Sequence, residues 1–351
     1  MRNNLSNKGY TLVEVMIAVT IGLILVLAAS ASYIAQNRSS VAQESVSEIN
    51  TQSKIAIDLI SNEIRSAGFG ISVELNEEPV NNITSIITPV DNTNQPDAIT
   101  IVGGFRFIGT LWPAGGGAVI CPASVTAGTN MVKIKYSGTD GPNLTDKSYL
   151  SIDGIETVQV SACTIGAGGI CDSDDITLDR QLSQDFPLQD SSVGGTCNAG
   201  GAANCVAGRP VYLIEDITFC IDGNGTLRRL RRNADPAACT APATSDNDAI
   251  AENIEDFQIA YAVDLDDDGL ANDQDGSGSF DSGDFLDGAA VADPDTIKAV
   301  RINVLAMSDR ADKDYTGLGN PPAVIENRNH NSTNDDFRRR WWQTVTTIRN
   351  Q

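Results

Sequence analysis

The sequence predicts an α+β protein: a long N-terminal α-helix, half membrane-spanning and half amphipathic, packed on a β-rich globular head of antiparallel strands. Two patterns carry this. No charged residue occurs from Val15 to Asn37, and Ala42, Val46, Ile49, Ser53, Ala56, Ile60 and Ile64 then follow at three- and four-residue spacing, with no proline before Pro79. From Ala98 onward the pattern changes to short runs of β-formers between Gly-, Asn- and Asp-rich turns. Composition agrees, because 31 Gly and 5% aromatic residues in 351 favour long loops between short elements. The formal charge of −22 repels phosphate backbones and acidic lipid over most of the surface. It suits a head that faces water or collects cations.

The first element is a polar leader, residues 1–9, with positive charges at Arg2 and Lys8. The run after it is long enough to cross a bilayer, which takes about 20 apolar residues. The leader's charges keep it cytoplasmic and send the remainder outward. A secretory signal peptide cut near Ala28-Ala29-Ser30-Ala31, or a plain anchor, would also be apolar here. Neither accounts for Glu14, a carboxylate at the mouth of a spanning helix, where it is costly. One helix from Thr11 to Ser66, ended by Gly68, is the simplest reading. Its residues 10–38 form the spanning half and 39–68 the amphipathic half.

Lys8-Gly9-Tyr10-Thr11-Leu12-Val13-Glu14 resembles the type IV prepilin signature, with Tyr10 where that family usually carries Phe. The resemblance implies cleavage after Gly9 by a prepilin peptidase, methylation of the new terminus at Tyr10, and an assembly role for Glu14. It also implies a single-pass inner-membrane precursor with a periplasmic head, later found in the pilus at the cell surface. Its partners would be other minor and major pilins, through their N-terminal helices, and the inner-membrane assembly machinery. The role of Glu14 has a physical basis. In a filament core of low dielectric, a mature α-amino group needs an opposite charge, and a neighbour's carboxylate supplies one and sets the register.

Residues 69–351 form the expected head. Strands are predicted at 98–102, 131–136 and 176–178, and half-buried antiparallel strands at 217–221, 257–263 and 300–304. Asp222-Gly223-Asn224-Gly225 signals a hairpin turn. Cys163 to Pro210 reads as a disulfide-stapled loop region, within a cysteine-bearing stretch from about 121 to 239. The seven cysteines lack Cys-x-x-Cys knuckles and read as disulfides of an oxidising compartment. The candidates are Cys163, Cys171, Cys197, Cys205, Cys220 and Cys239, with Cys163–Cys171 and Cys197–Cys205 favoured as local pairs. Seven is odd, so one thiol is expected free or paired with another chain. Asp58-Leu-Ile-Ser-Asn-Glu63-Ile-Arg65-Ser-Ala-Gly68 and the Arg338-to-Asn350 ending resemble PilW-type minor pilins.

Residues 264–287 form an acidic loop without Lys or Arg. Asp264, Asp266, Asp268, Asn272 and Asp275 fall at calcium-loop positions one, three, five, nine and twelve, with Gly269 at six. Asp273, Asp275, Ser277, Gly278, Asp281 and Asp284 repeat the pattern. Calcium is therefore the expected cofactor, held weakly in the manner of extracellular modules. The arginines at 228–232 and 338–340 are read as partners of the acidic surface or of a neighbouring subunit, and nucleic-acid binding is not expected at −22. With one histidine, His330, and neither nucleophile elbow nor nucleotide loop, no enzyme is predicted. The expected function is a minor pilin in type IV pilus assembly, initiation or tip priming. The alternatives are a pseudopilin of a type II secretion system and a tip adhesin.

Overall fold

The computed structural model describes residues 10–72, 75, 79–113, 119–120, 124–136, 144, 147–165, 171–187, 196–197, 208–231, 239, 247–312, 315, 322–330 and 336–349. A single helix, α1, runs Leu12–Ser66 with Thr11 as its N-cap. Large apolar side chains from Leu12 to Ile34 stay exposed, and the first buried residue is Ile49. From there Ile49, Ser53, Ala56, Ile60 and Ile64 form the buried stripe, the three-to-four spacing of one helix face. This is the one described helix long and apolar enough to cross a membrane.

The helix ends where two glycines meet it. Gly68 takes a positive φ of 78°. Its N–H donates to Val102 O at 2.8 Å, and Gly104 N–H donates to Phe69 O at 2.7 Å. A side chain at Gly103 would come within 3.0 Å of Ser66 O, and one at Gly104 within 3.0 Å of Phe69 O. The helix end is thus stitched to the head by backbone that only glycine lets approach so closely.

Nine strands form the larger sheet: β1 (Ile87–Val90), β2 (Ala98–Pro113), β3 (Met131–Tyr136), β4 (Tyr149–Ile152), β5 (Glu156–Ile165), β6 (Cys171–Leu178), β7 (Pro210–Ile221), β8 (Leu227–Arg231) and β9 (Asn247–Ala251). Their order is β1-β2-β3-β6-β5-β4-β7-β8-β9, and β2 also pairs with β7. The strands β2, β3, β6, β5, β4 and β7 therefore close on themselves, around a core that includes Leu111, Ile134, Leu150, Val160, Ile176 and Val211. Closure removes free edges. Where β2 opposes β7, Gly104 and Phe105 lie across from Ile214 alone, a bulge that re-aims the side chains beside it.

The second sheet holds β10 (Ile254–Val263), β11 (Leu286–Asp287), β12 (Ile297–Met307) and β13 (Arg339–Thr347), in the order β11-β10-β12-β13. The helix packs on β12 and β13. One apolar cluster joins the buried face of the helix, Ala56, Ile60 and Ile64 among its residues, to Ile99, Ile217 and Phe219 of the first sheet and Phe257, Tyr261, Ile302 and Val304 of the second.

Two sequence expectations change here. The strands at 217–221, 257–263 and 300–304 are buried on both faces rather than half-buried. Their polar alternates are sequestered as hydrogen-bonded pairs. Thr218 meets Thr100 at 2.8 Å, and Asn303 Nδ2 donates to Glu326 at 2.6 Å. The stretch from Cys163 to Pro210 is not all loop, since β5 and β6 pair across it in register Cys163↔Ile176.

Candidate functional site

Two features carry chemistry: the start of the helix and the acidic loop after β10. At the helix start, Thr11 and Glu14 form a reciprocal cap. Glu14 Oε2 accepts the Thr11 N–H at 2.9 Å and its hydroxyl at 3.1 Å, and Thr11 Oγ1 accepts the Glu14 N–H at 3.3 Å. The Thr-x-x-Glu spacing is the signature of such a box, so this second role of the carboxylate was readable in the sequence. The helix dipole adds favourable potential at the same end. Tyr10 is 88% exposed. Glu14 thus lies one turn from the backbone at Tyr10. Gly9 lies outside the described residues.

The acidic loop gathers its carboxylates into two trios, Asp264 with Asp266 and Asp268, and Asp273 with Asp275 and Asp284. Within each trio the carboxylate oxygens lie within 4.8 Å of one another. Asp275, read as common to both loops, joins the second. The other three expected ligands, Asn272, Ser277 and Asp281, make hydrogen bonds within the loop, as the trio carboxylates also do. Asn272 Oδ1 caps the Leu265 N–H while its Nδ2 donates to Asp266 at 2.9 Å. Ser277 Oγ donates to Ser279 O at 2.8 Å, and Asp281 accepts the Gly283 N–H at 2.7 Å.

Backbone amides fold this loop around its carboxylates. Asp264 accepts from Asp268 at 3.3 Å and Gly269 at 2.9 Å. Asp273 accepts from Gly276 at 2.7 Å, Ser277 at 3.1 Å and Gly278 at 2.5 Å. Gly269 and Gly278, the sixth positions, have φ of 85° and 90°, the left-handed turn that glycine makes without strain. Desolvation alone would raise the Asp264 carboxyl, but the amides of Gly269, Asp267 and Asp268, with Lys298, outweigh it and hold the group low. The Asp281 amide does most to lower Asp284. Lys298 Nζ lies 3.7 Å from Asp264 Oδ2, so the loop has a basic neighbour in β12 that reading the loop by itself missed. Three carboxylates per trio offer hard oxygens of the kind calcium takes.

Arginines of the two basic runs pair with carboxylates of the helix and the head. Arg228 pairs with Asp222 at 2.6 Å, Arg229 with Glu63 and Asp248 at 2.6 Å each, and Arg339 with Glu255 at 2.5 Å. His330 Nε2 lies 2.6 Å from the buried Asp256, which Arg328 also contacts. Among the cysteines, Cys220 bonds to Cys239, and Cys163 is also disulfide-bonded. Cys205 and the side chains of Cys171 and Cys197 lie outside the described residues.

Residues 211–350 match the family model of the type IV pilus-assembly protein W. Residues 4–30 match the prokaryotic N-terminal methylation motif. The first match begins in β7 and takes in the acidic loop and the whole second sheet; the second takes in the exposed start of the helix. No curated protein and no solved structure matches the chain.

Proposed function

We propose that this chain, a PilW-type type IV pilin by its two family matches, is a low-copy minor pilin at the tip or in the initiating complex of the filament. Its role is structural. The precursor is anchored by the apolar helix, the peptidase cuts after Gly9, and methylation follows at Tyr10. In the assembled filament Glu14 exchanges its cap on Thr11 for the amine of a neighbouring subunit. Only the bonds that the Glu14 carboxylate accepts from Thr11 are given up, since Thr11 Oγ1 keeps the Glu14 main-chain N–H, and the new pair is favourable where its geometry offsets the desolvation of both charges. The match over the second sheet and acidic loop favours a pilus subunit over a secretion pseudopilin.

Calcium is proposed to stabilise the head at the two aspartate trios, which Asp264 and Asp273 would lead. Each trio carries three like charges, two of which a divalent cation offsets.

The observation that carries the tip position is the charge of −22 on a head running from residue 69 to the end of the chain. Stacked copies would hold like charges within a Debye length of about 8–10 Å. One copy at the end of the filament avoids that. Quantifying subunits in sheared pili tests the reading, and the expected result is a small fraction of the major pilin. Parity with the major pilin rejects it.

A further inference from the structure

An open cavity of about 700 Å³ lies where the helix end meets the head. Arg65, Arg106, Arg231 and Arg349 line it, facing one carboxylate, Glu63. Leu59, Phe69 and Phe105 form its apolar side. Such a concentration of guanidinium groups runs against the composition, with 24 basic residues to 46 acidic in the whole chain.

The internal carboxylates do not neutralise it. Arg229 already holds Glu63 Oε1 at 2.6 Å. Arg231 meets Glu215 at 3.3 Å. No ion pair joins Arg65, Arg106 or Arg349 to a carboxylate among the described residues. Arg106 Nε and Nη2 are buried and meet no acceptor there. A buried guanidinium donor left without an acceptor is costly, and a carboxylate entering the cavity would supply one. The bulge at Gly104 and Phe105 is what turns this stretch of β2 toward the helix.

We infer that the cavity seats an acidic side chain, with an apolar residue beside it, from the head of a neighbouring pilin. The inference rests on the pilin reading. The size and the half-apolar wall exceed what a small free anion fills. A lipid headgroup is out of reach, because Asn62 on the rim lies about 38 Å along the helix from Asn37, at 1.5 Å per residue. A polyanion such as nucleic acid would be repelled by the net charge of −22 on the chain as a whole, whereas one protein carboxylate adds a single charge to a site with a surplus of positive ones.

The test uses the full chain in cells making pili, with a photo-crosslinking amino acid at the exposed position 62 and, separately, at Met16 in the apolar helix. The expected result at 62 is a crosslink to another pilin, mapped by mass spectrometry to a peptide bearing Asp or Glu at the contact. Arg106→Glu should lower that yield at least tenfold and leave the Met16 crosslink unchanged. Retention of the Cys220–Cys239 bond checks that the variant is folded, and Arg106→Gln, with at least a threefold loss expected, replaces it if it is not. Undiminished yield in a folded variant overturns the inference. So does a crosslink to nucleic acid, one back onto this chain, or none at 62 while Met16 still captures pilins. Failure at both positions overturns the pilin reading as well.

Discussion

Glu14 is satisfied within its own helix by the Thr11 cap, so the proposed assembly pairing would have to replace one good interaction with a better one. Glu14→Ala should therefore insert and be cleaved normally, because the apolar run and Gly9 are untouched. Its helix start should lose the half of the capping box that the Glu14 side chain supplies, and its entry into the assembly complex should fall sharply, measured by co-purification with other pilins. Normal assembly would reject the pairing role. Asp97 is a second residue whose environment sets its behaviour. It is buried between the loop it caps, through the Asn92 N–H at 2.9 Å, and β10, through the Ile259 N–H at 2.9 Å. Burial raises its carboxyl to about 7 against those two bonds, with Asp91 and Asp256 adding to the rise. The folded state then holds a proton that the unfolded chain releases near its ordinary value of 3.8. This contribution is full below the ordinary value and is lost as pH rises through about 7, at no more than roughly 1.4 kcal/mol per pH unit. Asp97→Asn should flatten the fall in stability between about pH 4 and pH 7, whatever its baseline, and an unchanged denaturation profile would contradict the assignment.

The acidic loop is the element whose behaviour depends most on solution conditions. Calcium at ten times its dissociation constant should stabilise the head by about 1.4 kcal/mol for each occupied trio, a rise of roughly 2–4 °C in melting temperature per trio for a domain of this size. Asp266→Ala with Asp275→Ala takes one carboxylate from each trio and should abolish the rise. A melting curve unmoved by millimolar calcium would leave the loop as a solvated turn. The pH sense is opposite to that of Asp97: Asp264 and Asp284 are held low, so their contribution is present above the ordinary carboxylate range and lost as acid protonates them. Elements governed by local rules were legible in the sequence. The helix bounds from Thr11 to Ser66 follow from spacing, a cap and Gly68, and the trios from offsets around Gly269 and Gly278. What was not legible depends on distant partners. Nothing near Thr218 or Asn303 in the chain reveals that Thr100 and Glu326 will cover them. Nothing near Asp264 announces Lys298, and the closure of β2 onto β7 joins residues about a hundred positions apart.

At the scale of the whole molecule, the helix has two incompatible halves. From Leu12 to Ile34 it exposes large apolar side chains that water cannot hold, and from Ile49 to Ile64 the same helix is locked into the head's core. On the pilin proposal, one rod joins membrane or filament to head only if both halves persist in the mature chain, and that condition discriminates between the two candidate processing sites. A cut near Ser30, as an ordinary signal peptide would have it, discards the Thr11–Glu14 cap and most of the apolar run. It would leave a head with a helical stub and nothing to enter a bilayer or a filament core. A cut after Gly9 removes only the polar leader and puts the new amine one residue before the cap that holds Glu14. The mature protein is therefore expected to begin at Tyr10 with a methylated amine. Mass spectrometry of the N-terminal peptide from the membrane fraction measures this directly, and deletion of the prepilin peptidase should restore a start at or before Gly9 with the Cys220–Cys239 bond intact. A mature start at Ser30 or Ala31 would separate the helix from the processing signal and refute assembly through Glu14, since the residue would no longer be in the chain.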